Sequence, residues 1–205
     1  MDIENRLINE YGYDNPIFIN DIEDRNMSYA NIRQILSRLV KRGAMKRFAQ
    51  GVYYFPSNTV LGSSCLDARK VYEKRYISDG NDIYGFYSGL TFKNQIGLTK
   101  QMPNAVEIVT NNESSRMREI MVGRQQVRLR GSAMNITKEN ATALQLLDFL
   151  KREDISQLTA EKRKQLLSFI RLENIKRSVI MKSLPEYPSK ASRNLLESGA
   201  YDELI

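Results

Sequence analysis

Apolar residues recur at helical spacing at the start of the chain. Over residues 2–11 they mark one side of a helix, and Gly12 ends the run, which predicts a first helix. A turn at Asn15-Pro16 separates this segment from an apolar run at 17–22, which predicts a short second helix. The chain therefore opens with two consecutive predicted helices.

A third helix is predicted over residues 28–43, with signals at both ends. Ser28 is a good N-cap, because its hydroxyl accepts a hydrogen bond from a free N–H of the first turn. Met27 and Ile32 occupy the positions of a hydrophobic staple, and Gly43 supplies the left-handed residue that ends many helices. The helix interior predicts a buried stripe, formed by Ile32, Ile35, Leu36, Leu39 and Val40.

Two short β-prone runs follow this helix directly. Residues 45–49 and 52–55 flank the turn Gln50-Gly51, which predicts a tight hairpin. Three helices followed by a hairpin indicate a winged helix-turn-helix over residues 1–57, with the hairpin as the wing and Lys46, Arg47 and Gln50 at its tip.

Charge is segregated within this first domain. The chain carries a net charge of +7, yet residues 1–24 hold seven acids and one base, whereas residues 25–57 hold seven bases and no acid. A concentration of positive charge is typical of a surface that meets a polyanion, and nucleic acid is the commonest polyanion. A solvated basic face has the same composition, so the placement of the charges has to decide.

The predicted outer face of the third helix favours DNA. Amide and arginine side chains read base edges, and further cations contact phosphates. A packing or dimerisation module with the same elements is the alternative. The candidate DNA-contacting residues are Ser28, Asn31, Arg33, Gln34, Ser37, Arg38, Lys41, Arg42, Lys46, Arg47 and Gln50.

The rest of the chain predicts a second domain over residues 64–205, reached through a short polar linker at 58–64. Its pattern predicts an α+β fold with a small, mostly antiparallel sheet and a helical C-terminal part from about residue 139. The predicted helices are 65–77, 86–96, 139–152, 159–173, 174–183 and 189–198, and the predicted strands are 83–85, 105–110, 116–122 and 125–131.

The sequence offers little for catalysis. It contains no histidine, which excludes histidine-based triads and histidine-ligated metals, and it has no phosphate-binding glycine loop. Cys65 is the only cysteine and is expected to be a small buried residue. A nuclease that uses the carboxylates of Asp82 and Glu107 stays open as a minor alternative. We therefore expect a non-enzymatic protein without a cofactor or a metal.

Residues 87–103, Tyr-Ser-Gly-Leu-Thr-Phe-Lys-Asn-Gln-Ile-Gly-Leu-Thr-Lys-Gln-Met-Pro, resemble the central motif of AbiEi-like antitoxins. That motif runs from Ser-Gly through an Asn to Gly-Leu-Thr-x-Gln-x-Pro and is followed by a strand ending in Thr-Asn, here at 106–111. The similarity covers about residues 1–150. The motif residues of interest are Ser88, Asn94, Thr99 and Gln101, together with Arg128 and Arg130 on the following hairpin.

The resemblance implies a DNA-binding antitoxin of a type IV toxin–antitoxin system. Its winged helix would bind inverted repeats in its own promoter and repress the operon. Its second domain would counteract a nucleotidyltransferase-like toxin without requiring a stable complex with it. The alternative is a winged-helix transcriptional regulator whose second domain senses a ligand or a protein unrelated to a toxin.

No apolar run approaches the roughly 18–20 residues of a membrane helix, and the acidic, polar N-terminus is unlike a secretory signal. We therefore expect a cytoplasmic protein with no membrane partner.

Overall fold

The computed structural model describes residues 3–22, 27–60 and 62–205 and shows an α+β protein. The chain divides into two compact units. The first takes in the chain up to Lys74 together with residues 122–124, and the second takes in residues 75–121 and 125–205. The α+β class predicted from the sequence is confirmed.

The first unit contains a small antiparallel sheet and the helices around it. The strand order is β1-β3-β2, so the first strand lies beside the last. In chain order the elements are α1 (Ile3–Tyr11), β1 (Ile17–Phe18), α2 (Tyr29–Lys41), β2 (Lys46–Ala49) and β3 (Val52–Tyr54).

Residues 17–22, predicted as a short second helix, form a strand and a turn instead. Ile17 and Phe18 of β1 pair with β3, and residues 19–21 form a single 3₁₀ turn. Ile17 and Ile19 are buried while Phe18 is half-buried, so the burial follows the two-residue period of a strand. The helix prediction is therefore wrong, because a six-residue apolar run does not distinguish a strand from a helix. Residues 23–26, including Arg25, lie outside the described residues.

Helix α2 follows the sequence prediction closely. The Ser28 hydroxyl accepts a hydrogen bond from the Asn31 amide at 3.3 Å, and Gly43 adopts a left-handed φ of +80° just beyond the helix. The predicted stripe faces a core in which Leu7 and Leu36 are fully buried. The buried stripe fixes which side of α2 points outward.

The segment predicted as a linker at 58–64 contains two short paired strands. Strands β4 (Asn58–Thr59) and β5 (Gly62–Ser63) pair antiparallel. The carboxylate of Asp14 accepts hydrogen bonds from the hydroxyls of Ser57 and Ser64 on either side of these two strands, and these bonds lower the pKa of Asp14. Helix α3 (Ala68–Tyr76) follows.

The second unit is built on a four-stranded sheet of order β6-β7-β9-β8. Most neighbours in the small sheets of this protein are antiparallel, as predicted, but β7 and β9 pair in parallel through six residues each. The elements are β6 (Gly85–Tyr87), α4 (Gly89–Gln95), β7 (Ala105–Thr110), β8 (Arg118–Val122) and β9 (Gln125–Gly131).

The C-terminal part is helical, as the sequence predicts. Helix α5 packs against α7 and α8, and the Asn194 side chain of α8 donates hydrogen bonds to the carbonyls of Leu150 and Glu153 that end α5. The helices are α5 (Ala141–Arg152), α6 (Ala160–Leu172), α7 (Arg177–Ser183) and α8 (Ser189–Glu197). In the described part of the chain, none of the helices has the length and apolar character needed to cross a bilayer.

Candidate nucleic-acid interface

The outer face of α2 carries the polar side chains that the sequence assigns to it. Because Ile32, Leu36 and Leu39 are buried in the core of the first unit, the opposite side of the helix is turned to solvent. The predicted exposure of this face is confirmed. Its exposed residues are Asn31, Arg33, Gln34, Ser37, Arg38 and Lys41.

The cations of this face pair with no acid among the residues that the structure describes. Across residues 3–22, 27–60 and 62–205, Arg33, Arg38 and Lys41 form no ion pair and no side-chain hydrogen bond, and α2 itself contains no acid. Arg42, just beyond the helix, differs because its guanidinium pairs with Glu4 of α1. Within the described residues, the positive charge of Arg33, Arg38 and Lys41 is therefore uncompensated, whereas that of Arg42 is neutralised by Glu4.

The two basic residues of the β2–β3 hairpin differ in exposure and in position along the strand. Gln50 lies exposed at the turn, and Arg47 is exposed on β2, where its Nε donates to the Ala49 carbonyl at 3.3 Å. Lys46 was expected at the tip, but it begins β2 at the far end of the strand. Its Nζ donates to the carbonyls of Ser63 and Ser64, at 3.4 and 3.1 Å. The prediction of a Lys46 tip is wrong, because the first residue of a strand lies farthest from the turn that follows it.

Ser28 has a structural role. Its hydroxyl caps the first turn of α2, which satisfies one of the backbone N–H groups that a helix leaves unpaired at its start. The candidate surface on the first unit therefore consists of the α2 face with Arg47 and Gln50 on the hairpin.

In the second unit, Ser88 and Arg130 meet at a buried carboxylate. Asp148 on α5 is almost fully buried, and its two oxygens accept hydrogen bonds from the Ser88 hydroxyl and the Arg130 guanidinium, each at 2.6 Å. The Lys151 ammonium approaches one of these oxygens at 2.8 Å. Both sequence-selected residues therefore bind an acid inside the fold.

The charge state of Asp148 follows from these contacts. Burial on its own would raise the pKa of the carboxyl, since the charged form loses its hydration. Arg130, Lys151 and the Ser88 hydroxyl outweigh this effect and hold the pKa of Asp148 below its ordinary value. The group is thus a stable anion that fixes two cations in place.

The glycine of the Ser-Gly pair has a specific steric role. Gly89 adopts a left-handed φ of +54°, and the carboxylate of Glu107 lies 2.4–2.5 Å from where a Cβ would stand. A side chain at this position would collide with that carboxylate. The Glu107 carboxylate also pairs with Arg152 of α5 at 3.4 Å. Gly89 lets the start of α4 approach β7 closely enough for this arrangement.

Asn94 organises the loop after α4. Its side-chain amide donates to the carbonyls of Thr99 and Gln101, at 3.3 and 3.2 Å, and the Thr99 hydroxyl accepts from the Gln101 amide at 3.1 Å. The Gln101 side chain makes no hydrogen bond with any of the described residues. Asn94 and Thr99 therefore hold the loop, whereas the side chain of Gln101 is not used in holding it.

The predicted alternation on β9 is confirmed. Val127 and Leu129 are fully buried, whereas Arg128 and Arg130 point away from them. Arg128 lies exposed and pairs with Glu119 of β8 at 2.6 Å. Neither arginine is free, because each is bound to a carboxylate of a neighbouring element.

Asp148 is the residue of this cluster that the sequence reasoning missed. A signal exists, because it is the one charged residue in the run Leu146-Leu147-Asp148-Phe149-Leu150, in the middle of an apolar helix. Apolar neighbours on both sides indicate that this stretch of the helix faces the core, so an acid within it is expected to be buried. A buried carboxylate requires hydrogen-bond donors or cations as partners.

Groups for metal or thiol chemistry are not assembled in the parts of the chain that the structure describes. No three His, Cys, Asp or Glu side chains there come together as metal ligands. Glu107 faces Gly89 and Arg152, whereas the backbone of Asp82 belongs to a tight turn organised by Ser78 and Asp79.

Cys65 is exposed, so the prediction that it is buried is wrong. It lies in the segment between β5 and α3, where the helical pattern begins too late to bury it.

The family model of DUF6088, a family of unknown function, matches residues 7–175. The chain belongs to this family. The match begins within α1 and ends after α6, so the DUF6088 pattern includes both units, while α7 and α8 follow it. No curated protein matches the chain in sequence. The α2 face and the Asp148 cluster both lie within the DUF6088 match. Other members of the family can therefore be examined for both features.

Proposed function

We propose that the first unit binds double-stranded DNA through the outer face of α2 and that the protein acts as a transcriptional regulator. The observation that carries this proposal is the set of three exposed cations on α2 without counter-charges among the described residues. Unpaired Arg and Lys side chains interleaved with amides are what recognition of phosphates and base edges requires.

The arrangement of elements supports a winged helix-turn-helix. A helix, a strand, a turn, a second long helix and a hairpin follow one another, and β1 pairs with the second strand of that hairpin. In this interpretation α2 is the recognition helix and the hairpin of β2 and β3 is the wing. The 3₁₀ turn at 19–21 stands where the second helix was predicted.

The spacing on α2 suits a major groove. Asn31 and Arg38 are seven positions apart, which is about 10 Å along a helix or about three base pairs of B-DNA. Asn and Gln side chains pair with adenine edges and Arg with guanine. We therefore assign base contacts to Asn31, Gln34 and Arg38, and phosphate contacts to Arg33 and Lys41.

We further propose that the regulated promoter is the protein's own and that the second unit counteracts a nucleotidyltransferase-like toxin. The support for this part is the resemblance of residues 87–103 to the AbiEi-like antitoxin motif. The test is to co-express the chain with the product of the adjacent gene. The adjacent product should halt growth alone and should be tolerated with this chain. An adjacent gene whose product has no effect on growth removes the antitoxin role and leaves the DNA-binding proposal standing.

Titration of the full chain with its upstream DNA at several salt concentrations tests DNA binding. Replacing Arg33, Arg38 and Lys41 together by Ala should reduce affinity by about 100-fold and lower the slope of log K against log salt by roughly 2–3. A matched control removes three exposed, unpaired cations from the C-terminal helices, Lys162, Lys176 and Lys182.

The control variant should bind like the wild type. An equal loss of affinity in both variants would place the DNA elsewhere than on α2. Retention of full affinity by the α2 variant would exclude this face altogether, provided that its circular dichroism is unchanged.

A further inference from the structure

A large cavity lies entirely within the second unit. Its volume is about 840 Å³, within the roughly 300–1,000 Å³ range of small-molecule sites. Edge strand β6, helix α4 and the start of α5 form one side, and one face of α6 forms the other. Strand β6 is an edge strand of the four-stranded sheet.

The inner wall is aromatic and aliphatic. Phe86 of β6 and Phe92 of α4 are nearly fully buried, and the ring of Phe169 on α6 packs edge-to-face on that of Phe92, with 5.2 Å between centroids. Helix α6 turns Leu166 and Ile170 into the core of the unit. Phe169 lies beside them at helical spacing, so it extends this apolar stripe to the cavity.

The polar groups around this wall are neutral and mostly unused. The Oε1 atom of Gln165 is buried and accepts no hydrogen bond from the described residues. Thr142 and Ser168 likewise make no side-chain hydrogen bond there, in contrast to Gln145, whose amide donates to the Tyr87 carbonyl at 2.8 Å. A buried amide oxygen that accepts no hydrogen bond lowers the stability of the fold. A side-chain amide without a protein partner is also free to turn toward a ligand.

The charged residues of the cavity disfavour anions. One cation, Lys164, lines it together with two acids, Glu161 and Glu173, and all three are exposed. The net charge of the lining is therefore −1. A phosphate or carboxylate group would meet more repulsion than attraction here, whereas an uncharged ring system would meet apolar walls and neutral hydrogen-bonding groups.

We propose that this cavity binds an uncharged, ring-containing small molecule. Its ring system lies against Phe169 and the half-buried isoleucines of the lining, and its hydrogen-bonding groups meet the side chains of Gln165, Ser168 and Thr142. Those isoleucines are Ile77, Ile83 and Ile96. The site belongs to the second unit alone and does not depend on DNA binding by α2. The net charge of the lining disfavours nucleotides and other anionic metabolites.

Two matched probes test the site on the full chain, 2-naphthol and 2-naphthalenesulfonate, which share a ring system and differ in charge. Saturation-transfer NMR at neutral pH should show saturable binding of 2-naphthol and at least tenfold weaker binding of the sulfonate. Absence of saturable 2-naphthol binding, or equal binding of the two probes, overturns the proposal.

Substitutions locate the binding. Ser168→Trp should fill the cavity and reduce 2-naphthol affinity at least tenfold, whereas Lys162→Trp, on α6 but outside the cavity, should leave it unchanged. The chain contains no tryptophan, so emission of the introduced indole reports whether it is buried. Gln165→Ala, which preserves the apolar wall, should weaken binding several-fold and decides the matter if Ser168→Trp fails to fold. Unchanged affinity in a folded Ser168→Trp or in Gln165→Ala places the probe elsewhere and overturns the proposal.

Discussion

In this DUF6088 protein, helix α2 of the first unit and elements β9 and α5 of the second unit use basic residues in opposite ways. On α2 of the first unit, Arg33, Arg38 and Lys41 point into solvent without a carboxylate partner in the described chain. In the second unit the arginines of β9 and α5 are each bound to an acid. Those pairs are Arg128 with Glu119, Arg130 with Asp148, and Arg152 with Glu107.

This difference shows that the number of cations in a segment does not by itself indicate how strongly the segment can bind a polyanion. A guanidinium that already donates to a carboxylate has to break that pair before it contacts a phosphate, which cancels much of the gain. Arg33, Arg38 and Lys41 of α2 have no such pair to break with any residue in the described ranges. Basic side chains therefore stabilise the fold on β9 and α5 and are available for binding on α2.

The largest effect should come from Asp148→Asn. The substitution leaves Arg130 and Lys151 next to a neutral amide in a largely buried site, so we expect a loss of about 3 kcal/mol in the free energy of unfolding. Urea unfolding followed by circular dichroism measures it. Glu119→Gln, which breaks the solvent-screened pair with Arg128, is the control and should change stability little. Equal effects of the two substitutions would remove the distinction between a buried and an exposed arginine pair.

A smaller effect is expected if α2 is made to resemble the second unit. Ser37→Glu places an acid among the free cations, one turn from both Arg33 and Lys41. DNA affinity should fall about tenfold, since the new carboxylate neutralises a cation and repels phosphate. Stability should rise by roughly 0.3–0.5 kcal/mol through the i, i+4 pair with Lys41.

Ser37→Gln controls for size without charge in this experiment. DNA titration and urea unfolding of both variants separate the two effects. A fall in affinity that is the same for Gln and Glu would assign Ser37 a direct contact and leave the role of charge unsupported.

The smallest expected effect is a pH dependence of stability. Because the folded-state pKa of Asp148 lies below its unfolded value, its contribution is complete above the unfolded value of about 3.9 and is lost as pH falls toward the folded one. Wild-type stability should therefore decline below about pH 4.

Other carboxyls with lowered pKa values, such as Glu113 and Glu119, add to this decline. The comparison with Asp148→Asn isolates the contribution of Asp148. The variant starts from a lower stability and should decline less steeply in acid. Parallel acid profiles would show that Asp148 does not titrate differently in the folded and unfolded states.

Local signals in the sequence predicted the elements that depend on local physics. The cap at Ser28 and the glycine at 43 bounded α2, and the 105–110 strand and all four C-terminal helices were found where expected. These features are determined by neighbours within one or two turns of chain, which is the range that periodicity and capping rules describe.

What the sequence did not predict depends on contacts between distant residues. The strand at Ile17–Phe18 exists because β3 pairs with it from 35 residues away. The role of Asp148 requires Ser88, 60 positions earlier, and Lys46 is held by carbonyls of a segment that the sequence suggested was a linker. Partners of this kind leave no periodic trace. For the same reason the cavity beside β6, which joins residues 77–173, could not be foreseen.

The parallel pairing of β7 with β9 has a consequence for how the sheet is assembled. Strand β9 lies between β7 and β8 in the sheet, although β8 precedes β9 along the chain. Residues 111–117 therefore connect β7 to β8 across the position that β9 occupies in the folded sheet. That passage spans two strand spacings, about 10 Å. Strands β8 and β9 are joined by a two-residue turn and close quickly, so we expect the pair to form first and then insert β9 against β7 as one piece.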